Sequence, residues 1–547
     1  MCTRCARGLL VLLALFSSLA LPQKLQPPAD AKAKVDAVFA RWNRSDSPGC
    51  AAGATIDGST VLSAGYGMAD LEHDAAITPG TIFEPGSVTK QFTAAAVLLL
   101  AQQGKLSLDD PIRKYIPEVP DYDRPITIRH LLHHTSGLRD WGNVAAIGGW
   151  PRTTRVYTHA FVLDIVSRQR ALNYAPGSEY SYTNTGFNLA AILVERVSGK
   201  SLPAFTRESI FAPLGMTSTG WRDDFRRIVK NRAVAYAPSG GAFVMNMPFE
   251  NVYGNSSLLT TVGDLLRWNQ NFTDLKVGGR ALIETQQQRG RLMDGRTIAY
   301  AAGLMMLHWK GLAEVSHSGS TAGYSAWLGR YPEQGLSVAV LCNVATNATQ
   351  LGHAVAEVYL GDAVRPKAQD PVALDVTTLE ASTGLYRSLR DHETLTVALE
   401  NGQLRLDRRG VLKPTAANVF TMGEEGRAEF ETDGAGKVVR LRLATEADPN
   451  NVYEKVEPAG PALADLEGMV GEYTSDEAEV TFRVVLDGGR LVMRRRPDAV
   501  FPLTPTYRDG FSCALGSVRF LRDRSGRVNE MSIGEARVWD LRLRRSR

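Results

Sequence analysis

The chain has 547 residues, 44% apolar and 22% charged, with a formal net charge of +4. That length is too great for one ordinary domain and points to about three, and the apolar share is that of a globular protein with a full core. So small a net charge argues neither for nucleic acid nor for a strongly acidic partner.

Residues 1–22 read as a secretory signal. Arg4 and Arg7 form the positive start, Gly8 to Phe16 the apolar core, and Ser17 to Ala20 the small-residue cleavage region. The apolar run is short for a membrane span, and no later stretch is long enough to cross a bilayer. The expectation is an exported chain, periplasmic or secreted. Cleavage removes Cys2 and Cys5 and leaves Cys50, Cys342 and Cys513. That odd, scattered trio is no disulfide scaffold, although an oxidising compartment permits one bridge; whether any of them pair stays open. No Cys-x-x-Cys pair survives, so no structural zinc is expected.

Pro28 to Arg44 has helical spacing, with Val35, Val38, Phe39 and Trp42 on one face. Asp57-Gly58 between two apolar-rich runs signals a hairpin. The stretch Phe83-Glu-Pro-Gly-Ser-Val-Thr-Lys90 then leads into an Ala/Leu-rich run that Gly104 stops. Pro85-Gly86 breaks what precedes, so Ser87 sits on the first turn of a helix and Lys90, three residues on, shares its face. A serine hydroxyl is a poor nucleophile until a base takes its proton, and a nearby ammonium lowers the pKa of such a base. At the helix start the Ser87 N–H is also free to donate to an oxyanion.

Thr127 is placed to cap a short helix carrying His130, His133 and His134. That spacing invites a metal, but no Glu stands in a His-Glu-x-x-His arrangement and Leu131-Leu132 read as core, so no metal site is expected. Helical runs follow at Gly186–Gly199 and 261–271. Strand-like runs follow at Ala301–Trp309, Tyr324–Arg330 and Leu336–Leu341, with Ser316-His-Ser-Gly-Ser320 between the first two, and then a helix at 348–360. Residues 23–365 therefore read as an α/β domain, an antiparallel sheet with packed helices.

Gly361 to Thr378 is rich in Pro, Asp and Ala and reads as a linker. Beyond it the chain repeats itself: Leu379-Glu-Ala-Ser-Thr-Gly-Leu-Tyr386 matches Leu466-Glu-Gly-Met-Val-Gly-Glu-Tyr473, and the run from Phe430 matches that from Phe520. Two tandem β units are expected at 379–458 and 466–547, each a small closed or nearly closed antiparallel barrel. The basic runs Arg494–Arg496 and Arg542–Arg547 read as solvated strand faces and a tail.

Three short patterns stand in chain order: Ser87-Val-Thr-Lys90, Tyr182-Thr-Asn184 and His317-Ser-Gly319. With Leu131-Leu-His-His-Thr-Ser-Gly-Leu138, and on a helix start, a loop and a strand, they resemble the penicillin-recognising serine hydrolases. That group spans class C β-lactamases, DD-peptidases, related esterases and D-aminopeptidases. The resemblance covers about residues 30–360 and implies a β-lactamase/transpeptidase-like fold with no cofactor. It implies that Ser87 forms an acyl-enzyme and that Lys90 keeps Tyr182 partly ionised, so that Tyr182 takes the Ser87 proton and later gives one to the leaving group. It further implies that Asn184 holds the substrate amide and that the N–H groups of Ser87 and Ser320, beside Gly319, form the oxyanion hole.

Many members carry Lys where this chain has His317. A mostly neutral imidazole grips a terminal carboxylate less well, which weakens the case for β-lactam or DD-carboxypeptide substrates. A catalytic domain followed by two small barrels looks like the three-domain D-aminopeptidases, in which a loop of the last barrel reaches the active site. By analogy Thr504 to Gly510 would be that loop. The expected function is an exported serine hydrolase cleaving an amide next to a small D-amino acid at an amino terminus, as a D-aminopeptidase-like peptidase acting on a small molecule or short peptide. A carboxylesterase or a β-lactamase/DD-peptidase of the same family is the alternative, and an inert ligand- or peptidoglycan-binding homologue a further one.

Overall fold

The computed structural model describes residues 25–364, 372–407, 409–423 and 426–546, so the segment read as a secretory signal lies outside the described residues. Among them no helix is long and apolar enough to cross a membrane.

Cys50–Ile56 (β1) and Ser59–Tyr66 (β2) form the hairpin expected at Asp57-Gly58, where φ values of +48° and +79° supply the left-handed turn that matches strand twist. Met305–Trp309 (β3), Leu312–Thr321 (β4), Tyr324–Tyr331 (β5) and Leu336–Cys342 (β6) complete a six-stranded antiparallel sheet in the order β2-β1-β6-β5-β4-β3. Side chains of successive strand residues point to opposite faces. Ala52, Ala54, Val338 and Val340 thus enter one core, with helices Ala31–Phe39 (α1) and Ala348–Leu360 (α5). Ala51, Ala339 and Leu341 enter the other, with Lys90–Gln102 (α2), Asn184–Ser198 (α3) and Val262–Asp274 (α4). Covered on both faces, β1 and β5 have every residue buried. Cys50 and Cys342 stand opposite one another across β1 and β6 and are joined by a disulfide, while Cys513 is free.

The edge of this sheet creates the site. β3 pairs with β4 only as far as Ser316, so the half of β4 from His317 to Thr321 is paired on one side, with β5, and its other edge is open. α2 packs across this region. Nearly all its residues from Lys90 to Leu100 are buried, which makes it a core helix rather than an amphipathic surface one.

The chain from Gly384 to Val456 forms a closed antiparallel barrel, and from Gly471 to Arg545 a nine-stranded antiparallel sheet whose end strands, Ala499–Pro502 and Thr504–Pro505, are successive in sequence but not paired. The repeated tyrosine plays the same part in each. Tyr386 Oη donates to Ser382 O at 2.8 Å and Tyr473 Oη to Met469 O at 2.7 Å, tying each first strand to the helical turn before it. Phe430 and Phe520 meet these rings edge-on.

The last sheet shares a continuous hydrophobic core with the helical side of the α/β domain, whereas the closed barrel keeps its own. Polar clamps reinforce the joint. Buried Arg139 donates to Glu477 Oε2 at 2.6 Å and to Asp540 O at 2.7 Å. Arg495 departs from the expected solvated strand face: its guanidinium donates to Ala146 O and Ile147 O, the open carbonyl end of helix Trp141–Ile147. The segment Thr504 to Gly510 is not at the cleft. It packs on the closed barrel, with Ala459 N–H donating to Thr506 O and Arg387 lying over the Tyr507 ring.

Arg139→Ala leaves the Glu477 carboxylate buried without its cation, and removing one partner of a buried pair costs about 3–5 kcal/mol. Urea denaturation should show that loss, while Arg494→Ala, which breaks an exposed pair with Asp487, should lie within about 0.5 kcal/mol of the parent. Equal midpoints for the two variants would show that the clamp carries no stability.

Candidate active site

The loop Phe83-Glu-Pro-Gly is fixed by a buried ion pair. Glu84 accepts from Arg222 at 2.8 and 3.1 Å and from Ser257 N–H at 3.1 Å, with both charged side chains inaccessible to water. Gly86 follows at φ +52°, and the turn Gly86–Thr89 runs directly into α2. Ser87 is therefore held at the helix start while Lys90 opens the helix proper.

Lys90 is fully buried, and its Nζ lies 3.1 Å from Ser87 Oγ, 3.0 Å from Asn184 Oδ1 and 2.9 Å from Asn255 O. Asn184 is held at the start of α3 by its own N–H, which donates to Asp140 Oδ2 at 2.7 Å. Burial pushes the Lys90 amine well below the ordinary lysine value, and the charges of Arg537 and Arg152 push the same way, against Asp140. Tyr182 sits beside this group, its ring centroid 4.8 Å from Lys90 Nζ. Its Oη is buried without a hydrogen-bond partner. Burial raises the phenol far above its ordinary value, and the nearby Ser87 hydroxyl and the Arg537 charge only partly oppose that. Burial therefore works against both the ammonium and the phenolate expected here, because it penalises either charge.

His317 lies on β4 facing this group. Its Nδ1–H donates to Ser318 O at 2.6 Å and its Nε2 accepts from Tyr300 Oη at 3.0 Å, so both nitrogens are engaged and one tautomer is selected. Burial, then the Lys90 charge, draws its pKa down to about 4, and it stands neutral above that. Ser87, Tyr182, Asn184, His317, Gly319 and Ser320 all line one cleft, with Lys90 in its floor against Ser87. The two backbones carrying the Ser87 and Ser320 amides touch. A Cβ on Gly86 would fall 2.5 Å from Ser320 N, and one on Gly319 would fall 2.0 Å from Pro85 O and 2.7 Å from Ser87 N. Glycine at both positions is what lets the two backbones approach so closely.

The short helix Ile128–Leu132 carries the capping box expected at Thr127, with Thr127 Oγ1 accepting the His130 N–H. His130 Nδ1 accepts from Thr127 N–H, and His134 Nδ1 accepts from Thr183 N–H. Among the described residues the one group of metal-binding type is Asp70, Glu72 and His73, on the surface. His134 instead packs its ring 4.2 Å from that of Tyr182 and 4.4 Å from that of Tyr300, holding the phenol in place.

Several cleft residues were not legible in the motifs. Asn255 supplies the third Lys90 acceptor from a loop. Arg152 lines the cleft and is engaged by Glu250 through two hydrogen bonds, and Arg537 reaches in from the last sheet. None lies near a catalytic motif in sequence, and Arg537 follows Ser87 by 450 positions (537 − 87).

Residues 35–360 match the beta-lactamase family. The chain is 26% identical over 450 residues to a D-aminopeptidase of Brucella anthropi, covering 81% of this chain and 82% of that protein. It is 28% identical over 418 residues to penicillin-binding protein 4* of Bacillus subtilis strain 168, covering 69% of this chain and 91% of that one. The crystal structure of a D-amino acid amidase from Ochrobactrum anthropi SV3 overlays 60% of this chain and 98% of its own with a TM-score of 0.51 at 21% identity, which speaks to the fold alone.

Gly319→Ala should lower kcat about 100-fold or more, since the new methyl pushes the two amides apart. Turnover within a factor of two of the parent would show that the amides are not used together. A second expectation concerns pH. His133 and His317 both have pKa values drawn down to about 4 from an ordinary 6.5 by burial. Between those values the unfolded chain binds protons that the folded chain does not, so stability is full above pH 6.5 and falls as pH drops toward 4. The thermal midpoint should therefore be lower at pH 5 than at pH 7, and His133→Gln should make that pH slope shallower. An unchanged slope would mean that His133 is protonated in the folded protein.

Proposed function

Because the chain belongs to the beta-lactamase family, we propose that this serine hydrolase is exported and cleaves an amide next to a small D-amino acid through an acyl-enzyme on Ser87. The observation that carries this reading is the contact of Lys90 Nζ with Ser87 Oγ in a buried site, beside a phenol with no other partner.

The amine of Lys90, disfavoured as a cation, takes the Ser87 proton across 3.1 Å as Oγ bonds to the substrate carbonyl carbon. The carbonyl oxygen gains negative charge against the Ser87 and Ser320 amides. Tyr182, kept protonated by burial, donates to the leaving nitrogen as the C–N bond breaks, and the proton now on Lys90 restores the phenol. Water then attacks the acyl carbon, its proton passing to the same amine, which returns it to Ser87 Oγ as the ester C–O bond breaks. Asn184 orients Lys90 through Oδ1 and lines the cleft where the substrate amide lies.

The D-aminopeptidase relatives favour a D-residue on the acyl side. Neutral His317 leaves position 317 without the cation on which β-lactam recognition usually relies. Export is supported by the Cys50–Cys342 disulfide, since such bonds persist in oxidising compartments.

A substrate panel tests this: D-alanyl anilide, D-Ala-D-Ala, a chromogenic cephalosporin and a short-chain aryl ester, each with the parent and Ser87→Ala. The D-alanyl substrates should turn over, and Ser87→Ala should lose at least about 1000-fold in kcat. Turnover of the ester alone would replace the peptidase with a carboxylesterase, and an active Ser87→Ala would end the acyl-enzyme reading.

A further inference from the structure

Strands Val528–Glu535 and Val538–Arg545 are joined by a two-residue tip, Ala536-Arg537. The backbone of this tip is fixed to the hydrolase fold. Arg537 O accepts from Asn173 Nδ2 at 3.0 Å and from Asp140 N–H at 3.3 Å. Trp539 N–H donates to Asn173 Oδ1 at 3.0 Å, and its ring packs against Tyr174. With the backbone held in this way, the guanidinium stands 5.0 Å from the ring centroid of Tyr182, in the wall of the cleft that holds Ser87.

The other basic groups of the cleft are already engaged. Lys90 is buried against three acceptors, Arg152 is paired with Glu250, and His317 is neutral with both nitrogens occupied. Arg537 is committed more loosely. Its Nη1 lies 3.7 Å from Asp140 Oδ2, beyond hydrogen-bond length, and that oxygen already accepts the Asn184 N–H at 2.7 Å. The other carboxylate of the tip, Glu535, is engaged by Asn143. The Arg537 side chain keeps 37% of its surface exposed, so a ligand can reach it. Its field extends to the reacting groups: it is the largest charge effect on both Lys90 and Tyr182.

We propose that Arg537 binds the free carboxylate of the residue that leaves, which makes the substrate a short peptide ending one residue beyond the cleaved amide. This rests on the acyl-enzyme reading in one respect, the placing of the leaving nitrogen at Tyr182 Oη. From that nitrogen the N–Cα, Cα–C and C–O bonds span at most about 4.2 Å, a reach that lets an α-carboxylate meet the guanidinium 5.0 Å from the Tyr182 ring centroid. Arg is suited to the task, because its planar fork grips a carboxylate through two parallel hydrogen bonds. The cation that position 317 lacks is supplied from the far end of the chain, and the last sheet becomes part of the binding site.

The test is equilibrium binding to the full chain carrying Ser87→Ala, which blocks acylation, with two probes: D-Ala-D-Ala and the same dipeptide as its C-terminal amide. The carboxylate form should bind about 10- to 100-fold tighter than the amide, the range of a hydrogen bond to a charged group. That ratio should collapse toward one in Ser87→Ala/Arg537→Ala, recover in Ser87→Ala/Arg537→Lys and invert in Ser87→Ala/Arg537→Glu. A ratio that survives Arg537→Ala, or a carboxylate form that binds no better than the amide, overturns the proposal. Turnover is read separately on the parent. A preserved binding ratio without hydrolysis of either probe would sink the peptidase reading while leaving the role of Arg537 intact.

Discussion

The burial of one amine sets the terms for the rest of the site. Lys90 is removed from water at the start of a core helix, and a buried amine is costly unless its N–H groups find acceptors. Ser87 Oγ, Asn184 Oδ1 and Asn255 O are those acceptors, and each comes from a different part of the chain. The site must therefore bring α2, α3 and the loop at 255 to one point before the amine can be accommodated. The same burial depresses the amine pKa and raises that of the Tyr182 phenol, and perturbed groups of this kind cluster at functional sites.

Rigidity around that point comes from buried polar partners. The Glu84–Arg222 pair anchors the loop that delivers Ser87, Asp140 holds the start of α3 through the Asn184 N–H, and His134 packs its ring on Tyr182. The open edge of β4 does the complementary work. Because β3 stops at Ser316, the strand beyond it lies open beside Ser87, and glycine at 319 lets the two backbones meet.

The last sheet belongs to this arrangement. Its core is continuous with that of the α/β domain, Arg139 and Arg495 clamp the two together, and the tip at Arg537 lies against Asp140, the N-cap of helix Trp141–Ile147. The closed barrel differs in keeping a core of its own. Residue 537 thus brings a charge into the wall of the cleft from a part of the chain outside the matched family domain.

Local chemistry made much of this legible. The Asp57-Gly58 hairpin, the Thr127 cap, the helix stops at Gly104 and Gly199, and the repeated tyrosine of the two β units all act between residues a few positions apart, where chirality, caps and turn geometry dominate. Ser87 and Lys90 belong to the same class, because helical spacing alone puts them on one face. What folding decided was every contact between distant segments: the Cys50–Cys342 bond, the Asn255 carbonyl under Lys90, Arg495 on the end of a distant helix, and the entry of the Ala536-Arg537 tip where Thr504 to Gly510 was expected. It also set burial against the charges expected on Lys90 and Tyr182. A motif shows which groups are neighbours but not how much water surrounds them, and the cost of charge depends on that water, which only the packed structure excludes.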